Sequence, residues 1–157
     1  MSAKLQLTSR SAADTQSLAA RLAAIAAPGD VIALSGDLGA GKTTFARGFV
    51  RALTGRGDDV PSPTFTLVQT YDTAKGALWH CDLYRLTKPE DAWELGLEDA
   101  FAEAICLIEW PERLGAALPA RRLGVALGFV AGAPDHRVIS LDGDEHWAQR
   151  LKVMGPL

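Results

Sequence analysis

The chain has few of the features that mark a protein for membranes, for export or for a direct grip on nucleic acid. No apolar run reaches the ~18 residues a membrane-spanning helix needs. The N-terminal MSAKLQLTSRSAADTQ lacks a secretory apolar core, so the expected location is the cytoplasm. Only two cysteines occur, Cys81 and Cys106, and they form no C-x-x-C pair. Each sits in an apolar run and reads as a buried reduced thiol, in keeping with a reducing cytosol. Charge of one sign is also missing: 16 Lys and Arg stand against 19 Asp and Glu, a net charge of −3. That balance gives no strong basic face, so DNA is not an expected partner and any RNA is met through another protein.

What is present is an ordinary globular composition, 48% hydrophobic and 22% charged over 157 residues. It suits one domain over residues 1–157 with one sizeable core. Alternation in KLQLT predicts a short edge strand over 4–8. Ser11 with Asp14 reads as a capping box opening a helix over 12–26, stopped by Pro28-Gly29. DVIALS (30–35) reads as a strand buried on both faces. Helical spacing through Phe45, Phe49 and Leu53 predicts a helix over 42–54, ended by Gly55 and Gly57. Strands are expected over 65–71 and 77–84, with short helices from Pro89 and near 97–102. A buried strand over 104–110, a turn of helix from Pro111, a hairpin of 122–130 and 136–142 turning at Gly132 and Pro134, and a final helix near Asp144 complete the chain. Strands alternating with helices imply an α/β fold with a mainly parallel central sheet, and close strand pairs add antiparallel neighbours.

The segment Gly36-Asp37-Leu38-Gly39-Ala40-Gly41-Lys42-Thr43 matches G-x-x-x-x-G-K-[ST]. A buried strand precedes it and an amphipathic helix follows, the context in which that motif binds phosphate. Its glycines let the backbone curl until successive N–H groups converge on phosphate oxygens, and the helix adds its positive dipole end. Residues 37–44 are therefore the candidate nucleotide-binding loop. Lys42 is expected to reach the β- and γ-phosphates and Thr43 to offer its hydroxyl to Mg²⁺, with Thr44 on a phosphate farther from the γ end.

Such a loop usually works with a carboxylate at the end of a nearby strand. Glu109, after Ile105-Cys106-Leu107-Ile108, has that position and is a candidate metal ligand, directly or through water. Asp82 is a second candidate, for orienting attacking water or for standing behind the metal's own ligands. Alternation places His80, Asp82 and Tyr84 on one face of a strand expected to be half-exposed. His80 alone reads as a structural hydrogen-bonder. The loop Pro61-Ser62-Pro63-Thr64-Phe65 lies where P-loop switches sense the γ-phosphate, and it reads equally as a rigid turn set by two prolines.

GDLGAGKTTFARG, SPTFTLVQTY, HCDLYRL and ICLIEW occur in this order. Together they resemble the TsaE (YjeE) family, over about residue 10 to 142. The resemblance implies a P-loop NTPase-like three-layer fold and an ATPase, weak alone, with ATP or ADP and Mg²⁺ as cofactors. It implies work with the TsaB–TsaD dimer to install threonylcarbamoyl on adenosine 37 of tRNAs reading codons that begin with A. It gives Lys42 and Thr43 the P-loop roles, Glu109 the metal-linked glutamate and Asp82 the aspartate near the γ-phosphate. Ser62 and Thr64 fall in the switch-like loop, Trp110 becomes a reporter of nucleotide binding, and the base lies between Ser11–Thr15 and the hairpin near Ala133. Arg47 and Arg85 are positions from which a partner could be met.

The expected candidate catalytic residues are thus Lys42, Asp82 and Glu109. No transition-state arginine is evident, which accounts for weak intrinsic turnover. The alternative is a stand-alone small-molecule kinase, with Arg113, Arg121 and Arg122 as a lid.

Overall fold

A computed structural model describes residues 3–55, 60–63 and 66–154. Seven strands form one sheet: β1 (Ala3–Ser9), β2 (Val31–Ser35), β3 (Val68–Thr73), β4 (Gly76–Asp82), β5 (Ile105–Glu109), β6 (Leu123–Val130) and β7 (Ala133–Gly143), in the order β1-β7-β6-β2-β5-β4-β3. The centre is parallel, β6, β5 and β4 all running with β2, and β3, β7 and β1 add antiparallel edges. The α/β expectation holds.

Helices cover both faces. α1 (Ala12–Ile25), α2 (Lys42–Thr54) and α5 (Glu145–Met154) pack with Ile32, Leu34, Leu78, Ile105 and Leu107. On the other face Val31, Cys81, Cys106 and Ile108 meet α3 (Asp91–Glu94), α4 (Leu97–Glu103) and a 3₁₀ segment, Pro111–Ala117. The period-two alternation sorts residues between the layers. Positions 32, 34, 78, 105 and 107 face α1 and α2, and by the same parity so do His80, Asp82 and Glu109. Burial pushes the Cys81 thiol pKa well above its ordinary value and that of Cys106 to about 12, so both remain neutral thiols. They are free and buried.

α1 starts as its sequence requires. The Ser11 side chain accepts a hydrogen bond from the Asp14 N–H at 3.1 Å, and Asp14 Oδ2 accepts one from the Arg10 N–H at 3.0 Å. Several boundaries differ from the sequence reading. β3 begins at Val68, and Thr64 and Phe65 lie outside the described residues. β4 ends at Asp82 and is not half-exposed: His80 is fully buried and Asp82 is 5% exposed, because α2 lies over that face. The hairpin turns on Ala131-Gly132 alone, with Val130 paired to Ala133, so Pro134 belongs to β7. The register then slips before Phe129 pairs with Arg137, and Pro134 falls in that irregularity, where no ladder N–H is required of it. Among the described residues no helix is long and apolar enough to cross a membrane.

Candidate nucleotide site

The parallel strands β2, β4 and β5 end side by side. Leu34 and Asp82 are each in register with Glu109, which puts both carboxylates beside the loop leaving β2. That loop needs glycine. Gly36 has φ +145, and a Cβ there would meet the Leu127 carbonyl oxygen at 2.5 Å. Gly41, at φ +106, lets the chain turn straight into α2 from a left-handed residue.

The two neighbouring helices begin in opposite ways. α1 is capped by a side chain and carries an acid in its first turn. α2 has neither. Its first N–H groups have no intrahelical acceptor, and its first residue is the cation Lys42, at the end where the helix dipole repels positive charge. Lys42 is 5% exposed. Its ammonium donates to the carbonyl oxygens of Gly36 at 2.5 Å and Asp37 at 3.0 Å, and lies 4.0 Å from the Trp110 ring centroid. Burial lowers its pKa below the ordinary 10.5, against the opposing pull of Glu109, Glu112, Asp82 and Asp37. An open helix start with a desolvated cation is a place for an anion.

Behind the loop the Thr43 hydroxyl donates to Glu109 Oε1 at 3.1 Å, and His80 Nε2 lies 2.7 Å from Glu109 Oε2. Glu109 is 1% exposed. Asp82 Oδ1 accepts the Tyr84 N–H at 3.1 Å. Trp110 has a left-handed backbone, φ 60, immediately before Pro111, a strained geometry for a non-glycine residue. Its ring meets that of Tyr84 at a tilt of 51°, with centroids 5.0 Å apart, and Arg113 lies over Tyr84.

Two adjoining clefts meet at Gly41 and Thr44. The first is lined by Leu38, Gly39, Lys42, Thr43, Asp82, Tyr84, Glu109 and Trp110. The second lies between Arg10–Thr15 and the hairpin residues Asp135 and Arg137. Asp37, Leu38 and Gly39 are exposed at the loop tip, and Ala40 is buried. The structure therefore brings Leu38, Gly39 and residues 41–44 of the loop together with Asp82 and Glu109, while Asp37 and Ala40 do not line that cleft. Of the switch-like loop Pro61, Ser62 and Pro63 are described, the first two exposed and Pro63 buried; Thr64 and Phe65 lie outside the described residues. Among the described residues no group of three or more His, Cys, Asp or Glu is placed to hold a metal alone. Thr43 with Glu109 fits Mg²⁺, which takes most of its ligands from phosphate and water.

His80 is a hydrogen-bonder as its sequence suggests, and its partner, which the sequence does not show, is Glu109. One residue of the site goes unnoticed in the sequence. Arg137 of β7 donates from Nε to the Ala40 carbonyl at 3.0 Å and from Nη2 to that of Gly39 at 3.4 Å, with its guanidinium over Phe129. It ties the hairpin to the loop, and no local pattern announces it.

The family model described as "Threonylcarbamoyl adenosine biosynthesis protein TsaE" matches residues 9–137. The chain belongs to the TsaE family. A Rickettsia bellii protein named "tRNA threonylcarbamoyladenosine biosynthesis protein TsaE" is 43% identical over 114 residues, 73% of this chain and 79% of its own. A Bacillus subtilis protein of the same name is 42% identical over 115 residues, 73% and 71% of the two chains. Two other Rickettsia relatives are longer, and the match spans 58% and 60% of them. The crystal structure of YdiB from Bacillus subtilis superposes with a TM-score of 0.79 at 32% identity, over 98% of this chain and 95% of that one. This TsaE-family chain thus has its relatives' fold as well as their sequence.

Proposed function

We propose that this TsaE-family chain is an ATP-binding switch that hydrolyses ATP with Mg²⁺ when assembled with its TsaB–TsaD partners. In that assembly it supports N6-threonylcarbamoylation of adenosine 37 in tRNAs reading codons that begin with A. The observation that carries the nucleotide reading is the start of α2: uncapped, without an acid, and holding the buried cation Lys42.

Backbone N–H groups of residues 39–44 hold the phosphates. Lys42 leaves the Gly36 and Asp37 carbonyls and the Trp110 face to pair with the β- and γ-phosphates, exchanging neutral acceptors for charged ones. Thr43 and Glu109 hold Mg²⁺, whose charge offsets that of the phosphates. Asp82 or Glu109 orients water for in-line attack, and Glu109 is in addition held by Thr43 and His80. The second cleft, between Arg10–Thr15 and Arg137, has the place for the base and sugar.

No arginine lines the phosphate cleft among the described residues. A group of that kind supplies ~10³–10⁵ in rate, so turnover waits for the assembly. The tRNA is met through those partners, since the chain's net charge is −3.

The kinase reading loses two of its three lid arginines; Arg113 stays near the cleft, over the Tyr84 ring. Leu123 is in register with Ile32, so β6 starts at the far end of the sheet from the loop, and Arg121 and Arg122 lie there with it. Arg122 donates to the Pro119 carbonyl at 2.7 Å and Arg121 lies 3.7 Å from Asp144.

The test is phosphate release with and without TsaB–TsaD and tRNA, scored beside tRNA modification. Partner-dependent release is expected. Transfer of phosphate to a small metabolite would establish the kinase instead, and modification proceeding normally with Lys42→Ala would refute the switch.

A further inference from the structure

We infer that His80 is a positioning residue, acting through Glu109 to keep one carboxylate oxygen aimed at Thr43 and the metal. The inference rests on the nucleotide reading above and adds to it a residue outside the cleft.

His80 is fully buried on the β4 face beneath α2, between the apolar Leu78 and the carboxylate Asp82. Its Nε2 lies 2.7 Å from Glu109 Oε2, while Nδ1 has no hydrogen-bond partner among the described residues. As core packing this is a poor choice: a buried polar atom without a partner costs free energy that an apolar side chain avoids. The engaged nitrogen is the informative one.

Glu109 stands where nucleotide-binding loops commonly face a shorter aspartate. The extra methylene adds a torsion, and a free glutamate could swing its oxygens off Thr43. With Oε2 fixed by His80, Oε1 stays 3.1 Å from the Thr43 hydroxyl. Strand pairing sets this geometry, since β4 and β5 are in parallel register with Asp82 opposite Glu109 and His80 two pairs below, beside Leu107 and on the same face. The string His80–Glu109–Thr43 runs from the core to the mouth of the loop. Residues of this kind, one step behind a metal's ligands, orient them and raise their affinity.

The test separates metal-linked from metal-free binding. ADP and a non-hydrolysable ATP analogue are titrated by calorimetry into wild type, His80→Leu, His80→Gln and His80→Asn, with Mg²⁺ and with EDTA. Glutamine carries an N–H donor at about the reach of Nε2; asparagine is a methylene short. Removing such an orienting partner typically costs ~10–100-fold, and His80→Leu should lose that much of the tightening produced by Mg²⁺. Its affinity in EDTA should stay within about twofold of wild type, because the loop amides and Lys42 are untouched. His80→Gln should restore most of the Mg²⁺ effect and His80→Asn should not. Should the leucine variant fail to fold, the glutamine and asparagine variants make the same comparison.

Equal Mg²⁺ tightening in wild type and in the leucine or asparagine variant would overturn the inference while leaving the nucleotide reading intact. Equal losses with and without Mg²⁺ would also overturn it, showing His80 to be packing only. Wild type that binds no nucleotide under either condition would remove both.

Discussion

The two ends of the central strands both bury charge, and they handle it in opposite ways. At the end where β2 begins, Asp30 accepts from Arg150 Nη1 at 2.9 Å, from Nη2 at 2.6 Å and from the Ala27 N–H at 2.7 Å. Arg150 also donates to the Ile25 carbonyl and stacks on Trp147. Lys75 beside them donates to the carbonyls of Ala23, Ala24 and Ala26, closing the end of α1. At the other end Lys42 has two carbonyls and an indole face, and no carboxylate within ion-pair distance appears among its described contacts. The Asp30–Arg150 pair ties α5 to the sheet, and Lys75 is spent on carbonyls at the C-terminal end of α1, where the helix dipole favours a cation. Lys42 instead lines a cleft at an uncapped helix start, the end that repels it, so its charge is available to a ligand.

Exchanging the two ends by mutation gives the largest expected effects. Lys42→Ala should weaken ADP and ATP binding by at least about thirtyfold, in line with ~2–5 kcal/mol for truncating one partner of a buried charge pair. Chemical denaturation should show its stability unchanged or slightly raised, since a cation leaves the positive end of α2. Asp30→Ala should do the reverse: stability falls by about 1–3 kcal/mol, because the half-buried Arg150 loses its carboxylate, while nucleotide affinity stays near wild type. Loss of binding in Asp30→Ala with stability intact would break the comparison.

A smaller effect is expected where the hairpin meets the loop. Arg137→Ala removes the donors that hold the Ala40 and Gly39 carbonyls outward. Hydrogen bonds from charged groups contribute ~1.5–3 kcal/mol, and water replaces part of that, so nucleotide affinity should fall about tenfold. Calorimetry that finds Arg137→Ala equal to wild type would show that the loop holds its shape unaided.

Much of this was legible in the sequence because the physics is local. Gly36, Gly41 and Lys42 lie within one strand–loop–helix unit, and Glu109 announces itself by ending an apolar run. The mainly parallel centre and the edge position of β1 followed from alternation and spacing, but the order of the strands did not. What the sequence hid depends on register. The contact of His80 with Glu109 spans 29 positions and that of Arg137 with Ala40 spans 97, and neither pairing exists until the sheet has set its neighbours. The half-exposed reading of β4 failed for the same reason: polar residues at His80 and Asp82 looked like a wet face, but α2 covers them and they face each other's chemistry. Pro134 misled the turn because a bulge, invisible to pattern, accommodates it in β7.

The most direct measurement is a calorimetric titration of the purified chain with ADP and with a non-hydrolysable ATP analogue, Mg²⁺ present, followed in parallel by tryptophan fluorescence. One saturable site per chain is predicted, with an emission change as the Lys42 ammonium leaves the Trp110 ring. A flat titration for both nucleotides would contradict the account at its base.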